Sequence, residues 1–236
     1  MQEYINRLLS NEPVQYILKE AWFYDLKFYV DKNVLIPRPE TEELVDWVLK
    51  EVGNRGPGVN KVFDIGTGSG CIAIALKKHL PTETKVLACD TNEQILAIAR
   101  KNAEVAVVSI DFTVLDFLDK KQRTQLPQFD IIISNPPYVP LKDKDTMKEN
   151  VVNYEPHNAL FVPNNDPLVF YTAIADFAKE KLNEGGTIYV ELHENLGNRV
   201  IELFRSKGFP ITELKIDMQG KDRMLKASIS HPLKRD

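Results

Sequence analysis

An α/β fold, with a doubly wound and mostly parallel sheet covered on both faces, is what the sequence predicts. Three observations predict it. From Lys61 onward, short runs rich in Val and Ile alternate with longer segments of helical spacing. One run, Phe129 to Ser134, is close to continuously apolar, as a central strand buried on both faces requires. The first run, Val62 to Ile65, passes directly into a glycine-rich turn and then a helical segment. In such sheets, ligands bind at the carboxyl ends of the strands, near the point where strand order reverses.

The elements follow in chain order. Ile5 to Leu9 and Val14 to Leu18 read as a short helix or two, and Trp22 to Val30 alternates around Asp25 as a hairpin does. The segment ends in the extended Ile36, Pro37, Arg38, Pro39. Glu40, Glu42 and Glu43 then fill the first turn of a helix running toward Lys50, at the positive end of its dipole. Asn54 to Asn60 reads as a linker. Val62 to Ile65, Lys85 to Cys89, Phe112 to Leu115 and Phe129 to Ser134 are predicted strands, with helices over Cys71 to His79 and Glu93 to Asn102. Pro136 to Pro167 reads as a long loop. Helices over Leu168 to Leu182 and Leu196 to Lys207 flank a strand at Thr187 to Leu192. Two β segments, Ile211 to Ile216 and Met224 to Ile229, close the chain.

Composition excludes several classes. The 236 residues suit one good-sized domain, and 43% hydrophobic content with 27% charged is ordinary globular composition rather than disorder. With no long apolar run and a polar N-terminus, neither a membrane span nor a signal peptide is predicted, and a cytoplasmic location is expected. The net charge of −4 argues against a whole-protein electrostatic grip on duplex nucleic acid. Cys71 and Cys89 sit in apolar segments and read as buried thiols. The four histidines, His79, His157, His193 and His231, are scattered, so no metal site is expected.

Asp64, Ile65, Gly66, Thr67, Gly68, Ser69, Gly70 form the glycine turn. A dinucleotide fingerprint would need a third glycine at position 71, which is cysteine, and a Walker A loop would need Lys before Ser or Thr. What remains is a GxGxG turn with an acid, Asp90, ending the next strand, where it would accept hydrogen bonds from ribose hydroxyls. This pair resembles the signature of class I S-adenosylmethionine-dependent methyltransferases. The plain alternatives are a tight turn without ligand, and an acid at a helix start beside Thr91 and Asn92.

Phe129 to Ser134 runs into Asn135, Pro136, Pro137, Tyr138. Two prolines remove two backbone donors and leave carbonyls as unpaired acceptors. The Asn135 side-chain oxygen and the Pro136 carbonyl would accept both hydrogens of a planar NH2 group, with Tyr138 stacked over its face. Such a clamp holds a delocalised nitrogen in line with a methyl donor, and acceptors placed where positive charge develops stabilise the transition state. The alternative is a strand-ending proline turn.

NPPY is shared by methyltransferases of nucleic-acid amino groups and of glutamine side chains. Ile36 to Glu42 (IPRPETE) is similar to the hallmark segment of the HemK/PrmC family, which methylates the glutamine of the GGQ motif in peptide chain release factors. Glu12 to Tyr16, Glu155 to Phe161 and Gly220 to Arg223 also match, so the resemblance spans nearly the whole chain. It implies a class I methyltransferase sheet, mostly parallel with an antiparallel C-terminal strand. It further implies S-adenosyl-L-methionine as cofactor, with S-adenosyl-L-homocysteine as product, and release factors as partners. By this resemblance Gly66 to Gly70 and Asp90 hold the cofactor, with Asn135 touching it, and Phe117 lies against its adenine. Asn135, Pro136, Pro137 and Tyr138 hold the substrate amide.

Residues 1–36 are then a short helical remnant with a hairpin, and residues 37–236 the catalytic domain. Family members usually carry several dozen helical residues ahead of the hairpin, where this sequence has about twenty. Weak engagement of the release factor with normal cofactor binding is therefore expected. His193 stands where glycine is common; the plain alternatives are that Phe117 is simply core and that Arg38 with Glu40 is a surface ion pair worth little. Two rivals remain: a nucleic-acid amino-group methyltransferase using the same clamp, and a cofactor-binding protein without catalysis.

Overall fold

The computed structural model describes residues 2–55 and 58–229. Gly56 and Pro57 of the expected linker, and His231, lie outside the described residues. Two short helices, α1 (Gln2–Leu9) and α2 (Val14–Leu18), lead into a hairpin of β1 (Ala21–Phe23) and β2 (Leu26–Phe28). Its turn residues Tyr24 and Asp25 have φ of 50° and 58°, the left-handed pair that matches the twist of the flanking strands. Helix α3 (Pro39–Arg55) starts on a proline, whose missing N–H is no loss in a first turn. Its early acids do more than oppose the dipole. Glu42 accepts the Tyr24 N–H at 3.0 Å and Glu43 the Met218 N–H at 3.1 Å, tying hairpin and C-terminal region to this helix.

The alternating region runs β3 (Lys61–Ile65), α4 (Cys71–His79), β4 (Lys85–Asp90), α5 (Glu93–Ala106), β5 (Asp111–Val114), α6 (Lys120–Arg123) and β6 (Phe129–Ser134). Helix α5 passes the predicted end at Asn102 by one turn. Its cap is Val107 at φ 56°, whose N–H returns to the Ala103 and Glu104 carbonyls, a left-handed cap without the expected glycine signal. The stretch read as one long loop contains β7 (Val139–Pro140), a 3-10 turn (Leu141–Thr146), α7 (Glu149–Tyr154), α8 (His157–Leu160) and β8 (Phe161–Val162). β7 and β8 pair in parallel and hold this segment over the sheet end. Elements of two to six residues are too short to show a period, so sequence periodicity missed them.

The chain closes with α9 (Val169–Lys181), β9 (Leu182–Glu191), α10 (Gly197–Ser206), β10 (Ile211–Ile216) and β11 (Asp222–Ser228). β9 begins five residues earlier than predicted. Leu182 pairs with Phe129, the chain then departs from register, and pairing resumes at Ile131 with Thr187. The seven-stranded sheet has the order β10-β11-β9-β6-β3-β4-β5. β11 is antiparallel to both of its neighbours, and the other pairs are parallel. Order reverses at β3, which lies between β4 and β6. Register aligns Ile65 with Ser134 on one side and with Cys89 on the other. Gly66, Asp90 and Asn135 therefore leave three adjacent strands along one line.

Each face of the sheet packs a core. On one face Tyr16, Phe23, Phe28 and Ile36 bury against α3 and α4, so α2 and the hairpin share the core of the sheet, while α1 contributes no buried residue. On the other, Phe63 stacks on Phe129 at 4.7 Å and meets Phe177 at 5.6 Å. Both cysteines are free and buried, and burial pushes the Cys71 thiol up to about 12. Among the described residues no helix is long and apolar enough to cross a membrane, and no His, Cys, Asp or Glu cluster could hold a metal.

Candidate active site

The glycine turn places Gly66, Gly68 and Gly70 at φ of 72°, 54° and 85°, where side chains are strained. A Cβ at Gly66 or Gly68 would enter open space, whereas one at Gly70 would meet the Ala99 Cα at 3.3 Å. The first two glycines thus leave their backbone open to the cavity, and the third lets α4 approach α5. Thr67 and Ser69 turn inward and are buried. Thr67 donates to Asp64 Oδ2 at 2.6 Å, and buried Asn102 donates to the Ser69 carbonyl at 2.8 Å while bonding both backbone groups of Tyr29. That one amide joins the turn to the chain leaving the hairpin.

Asp64 is fully buried and its Oδ1 has no hydrogen bond. Burial pushes its carboxyl up to about 7, against the pull of the Thr67 hydroxyl and the nearby Ala73 amide. Between the ordinary carboxylate range and pH 7 the folded chain holds a proton that the unfolded chain has lost, so this group's contribution to stability falls as pH rises. The fall is of order 4 kcal/mol at most. Asp64→Asn is expected to gain stability relative to the parent progressively from about pH 4 to 7 in denaturant titrations. A difference that stays constant with pH would show that Asp64 does not titrate there.

Asp90 is half-buried at the rim. Its Oδ2 accepts the Gly68 N–H at 2.8 Å, and its Oδ1 accepts the Thr91 N–H at 2.7 Å and, at 3.4 Å, the Thr91 hydroxyl, which leaves a lone pair on Oδ2 for a ligand. Burial raises its carboxyl above the usual range. A cavity with about 970 Å³ of empty space opens here, lined by Gly66, Gly68, Asp90, Phe117, Asn135 and Pro137 among others. Phe117 is 4% exposed, with its ring packed on Phe177 at 5.4 Å and under the Arg123 guanidinium at 4.9 Å, so it belongs to the core and to the cavity wall at once. Thr67, Ser69 and Gly70 support the turn without lining this cavity.

A second cavity, with about 1020 Å³ of empty space, lies beyond the strand end and is lined by Arg38, Asn135, Pro136, Tyr138, Glu191 and Arg223 among others. Asn135 and Pro136 line both. The Asn135 Nδ2 donates to Thr41 Oγ1 at 3.0 Å, Thr41 donates to Glu191 Oε2 at 2.6 Å, and the Tyr138 hydroxyl donates to Glu191 Oε1 at 2.9 Å. The His193 ring meets Tyr138 edge-on at 6.2 Å, and burial lowers its imidazole pKa.

Arg38 does not pair with Glu40. Its guanidinium meets Glu155 Oε1 at 2.5 Å, and Glu155 Oε2 accepts the Ile36 N–H at 3.1 Å, while Glu40 accepts from Gln219 at 2.7 Å. Proline at 37 and 39 keeps this stretch extended, so Arg38 reaches back toward the segment behind NPPY instead of along its own helix.

Sequence analysis assigns no role to Thr41, inside IPRPETE, or to Glu191, inside the strand at Thr187 to Leu192. A signal existed: Glu191 ends the buried run Ile188, Tyr189, Val190, where an unpaired carboxylate would be costly. Asp116, which lines the first cavity beside Phe117, had no such signal, because an exposed acid after a strand is commonplace.

A sheet of this order, a glycine turn facing a cavity, and an acid at the next strand end define a class I methyltransferase fold. The Methyltransferase small domain family matches residues 46–157. A methyltransferase from Pyrococcus furiosus superposes with a TM-score of 0.61 at 20% identity, covering 96% of this chain and 98% of that one. Release factor glutamine methyltransferase of Flavobacterium psychrophilum is 47% identical over 94% of this chain and 77% of its own length. That of Bacteroides thetaiotaomicron is 44% identical over 97% of this chain and 80% of its own. The chain belongs to the release factor glutamine methyltransferase family.

Proposed function

We infer that the chain transfers a methyl group from S-adenosylmethionine to the side-chain amide nitrogen of the GGQ glutamine of a peptide chain release factor, in the cytoplasm. The observation that carries this is the meeting of two cavities at Asn135 and Pro136. The first fits the cofactor on its own features: the open space over Gly66 and Gly68 admits a chain against the backbone, the free lone pair of Asp90 Oδ2 suits a ribose hydroxyl, and Phe117 with Asp116 offers an apolar wall and an acceptor to an amino-purine. When bound, S-adenosylmethionine supplies a methyl group on a positively charged sulfur.

The second cavity receives the glutamine. Asn135 Oδ1 and the Pro136 carbonyl accept the two amide hydrogens, and the two oxygens stand where positive charge grows as the nitrogen gains its fourth bond. Once methylated, that nitrogen is acidic enough to release a proton to water, so no base is required of His193. Pro136 is buried, and its ring keeps water from the boundary.

Labelled methyl transfer tests the reading. Label is expected in intact release factor, and not in a factor whose GGQ glutamine is replaced by alanine. Label in RNA or DNA instead would overturn it in favour of the nucleic-acid rival. The cofactor half is separable: Asp90→Ala is expected to weaken S-adenosylhomocysteine binding by about 1–3 kcal/mol in calorimetry. Unchanged affinity would remove Asp90 from the site.

A further inference from the structure

We propose that Glu191 is a positioning residue for this transfer, acting through Thr41 to fix which way round the Asn135 amide stands and directly to hold the Tyr138 hydroxyl. The proposal rests on the reading that Asn135 accepts a hydrogen bond from the substrate amide.

An asparagine amide is nearly symmetric in shape, and a flip would set NH2 against the substrate's NH2, donor facing donor. Something must forbid that flip. An ionised carboxylate only accepts, so the Thr41 proton, 2.6 Å from Glu191 Oε2, is committed to Glu191. The Thr41 oxygen then has only lone pairs to offer, and it takes the Asn135 Nδ2 at 3.0 Å. Nδ2 is thereby turned to α3, and Oδ1 is left for the substrate. The other Glu191 oxygen takes the Tyr138 hydroxyl at 2.9 Å, fixing the ring. One carboxylate on β9 orders both walls of the clamp.

Nothing in the packing explains a charge there. Glu191 is 1% exposed between buried Val190 and Leu192, a place where an aliphatic side chain would be cheaper to bury. Burial raises the Glu191 carboxyl above its ordinary range and Glu40 on α3 adds to this, while the hydrogen bonds from Thr41 and Tyr138 and the charge of Arg223 on β11 favour the ionised form. Tyr171 donates to its backbone carbonyl at 3.1 Å and fixes the strand end.

The test uses single-turnover methylation of release factor at saturating cofactor, with cofactor affinity by calorimetry and melting temperature measured alongside. Glu191→Gln brings a donor against one of two hydroxyls, and Thr41→Val removes the relay outright. Each is expected to slow turnover about 10- to 100-fold with cofactor affinity kept, while Thr41→Ser stays within a few-fold of the parent. In an Asn135→Ala background, Thr41→Val should slow turnover no further, because its only route is through Asn135. Losses that multiply in the double variant, or Thr41→Val at the parent rate, would overturn the relay. If Asn135→Ala slows turnover while Thr41→Val does not, only the relay falls; if Asn135→Ala is itself at the parent rate, the clamp reading falls with it. Should Glu191→Gln fail to fold, the Thr41 pair decides alone.

Discussion

Asn135→Ala is expected to methylate release factor roughly 100- to 1000-fold more slowly than the parent at saturating cofactor and release factor, the loss typical of removing one preorganised polar partner from a transition state. Folding should survive. Asn135 is only part-buried at the mouth of the sheet, and its side chain bonds Thr41. Truncation leaves Thr41 Oγ1 without its donor, while the Thr41 bond to Glu191 stays intact, so the local cost is that of one hydrogen bond. Because Asn135 also lines the first cavity, cofactor affinity must be measured on its own, and saturating both substrates removes it from the rate. A variant within a few-fold of the parent would return NPPY to the role of a proline turn.

The elements that set up the site were legible where physics writes a period or a break into the chain. Apolar runs marked β3, β4 and β6, and glycines marked the turn between β3 and α4, since each answers to a local constraint of burial or φ. Adjacency of Gly66, Asp90 and Asn135 followed from strand order in a doubly wound sheet, which local pattern implies once the class is known. The structure adds long-range polar contacts that no local pattern encodes. Thr41 meets Asn135 across 94 positions and Glu191 across 150, and Arg38 meets Glu155 across 117. Asn102 is illegible for the same reason: it sits one turn from the end of α5 with exposed-looking chemistry, yet, 2% exposed, it joins the hairpin exit to the Ser69 carbonyl. Side chains that act at a distance in sequence become visible only when their partners are known.

Arg38→Ala should carry the largest stability loss of any surface-reaching substitution near the site, about 3 kcal/mol, or a melting temperature lower by about 6–12 °C in a chain of this size. Glu155 is the reason. Its side chain is 1% exposed, and without Arg38 a buried carboxylate would keep only the Ile36 N–H as partner. The value sits at the low end for a broken buried pair because 32% of the Arg38 side chain faces solvent, and part of its charge is already screened. Removing both charges should cost less than removing one: Arg38→Met with Glu155→Leu is expected to recover much of the loss, since no unpaired charge remains buried. Turnover should not recover with it. The pair holds the Ile36 to Pro39 stretch against the segment that follows NPPY, and Arg38 itself lines the second cavity. The double variant is therefore expected to fold well, bind cofactor normally and show a raised KM for release factor. A single Arg38→Ala variant melting within 2 °C of the parent would mean that Glu155 finds solvent or another partner once Arg38 is gone, and that the pair orders the cavity without stabilising the chain.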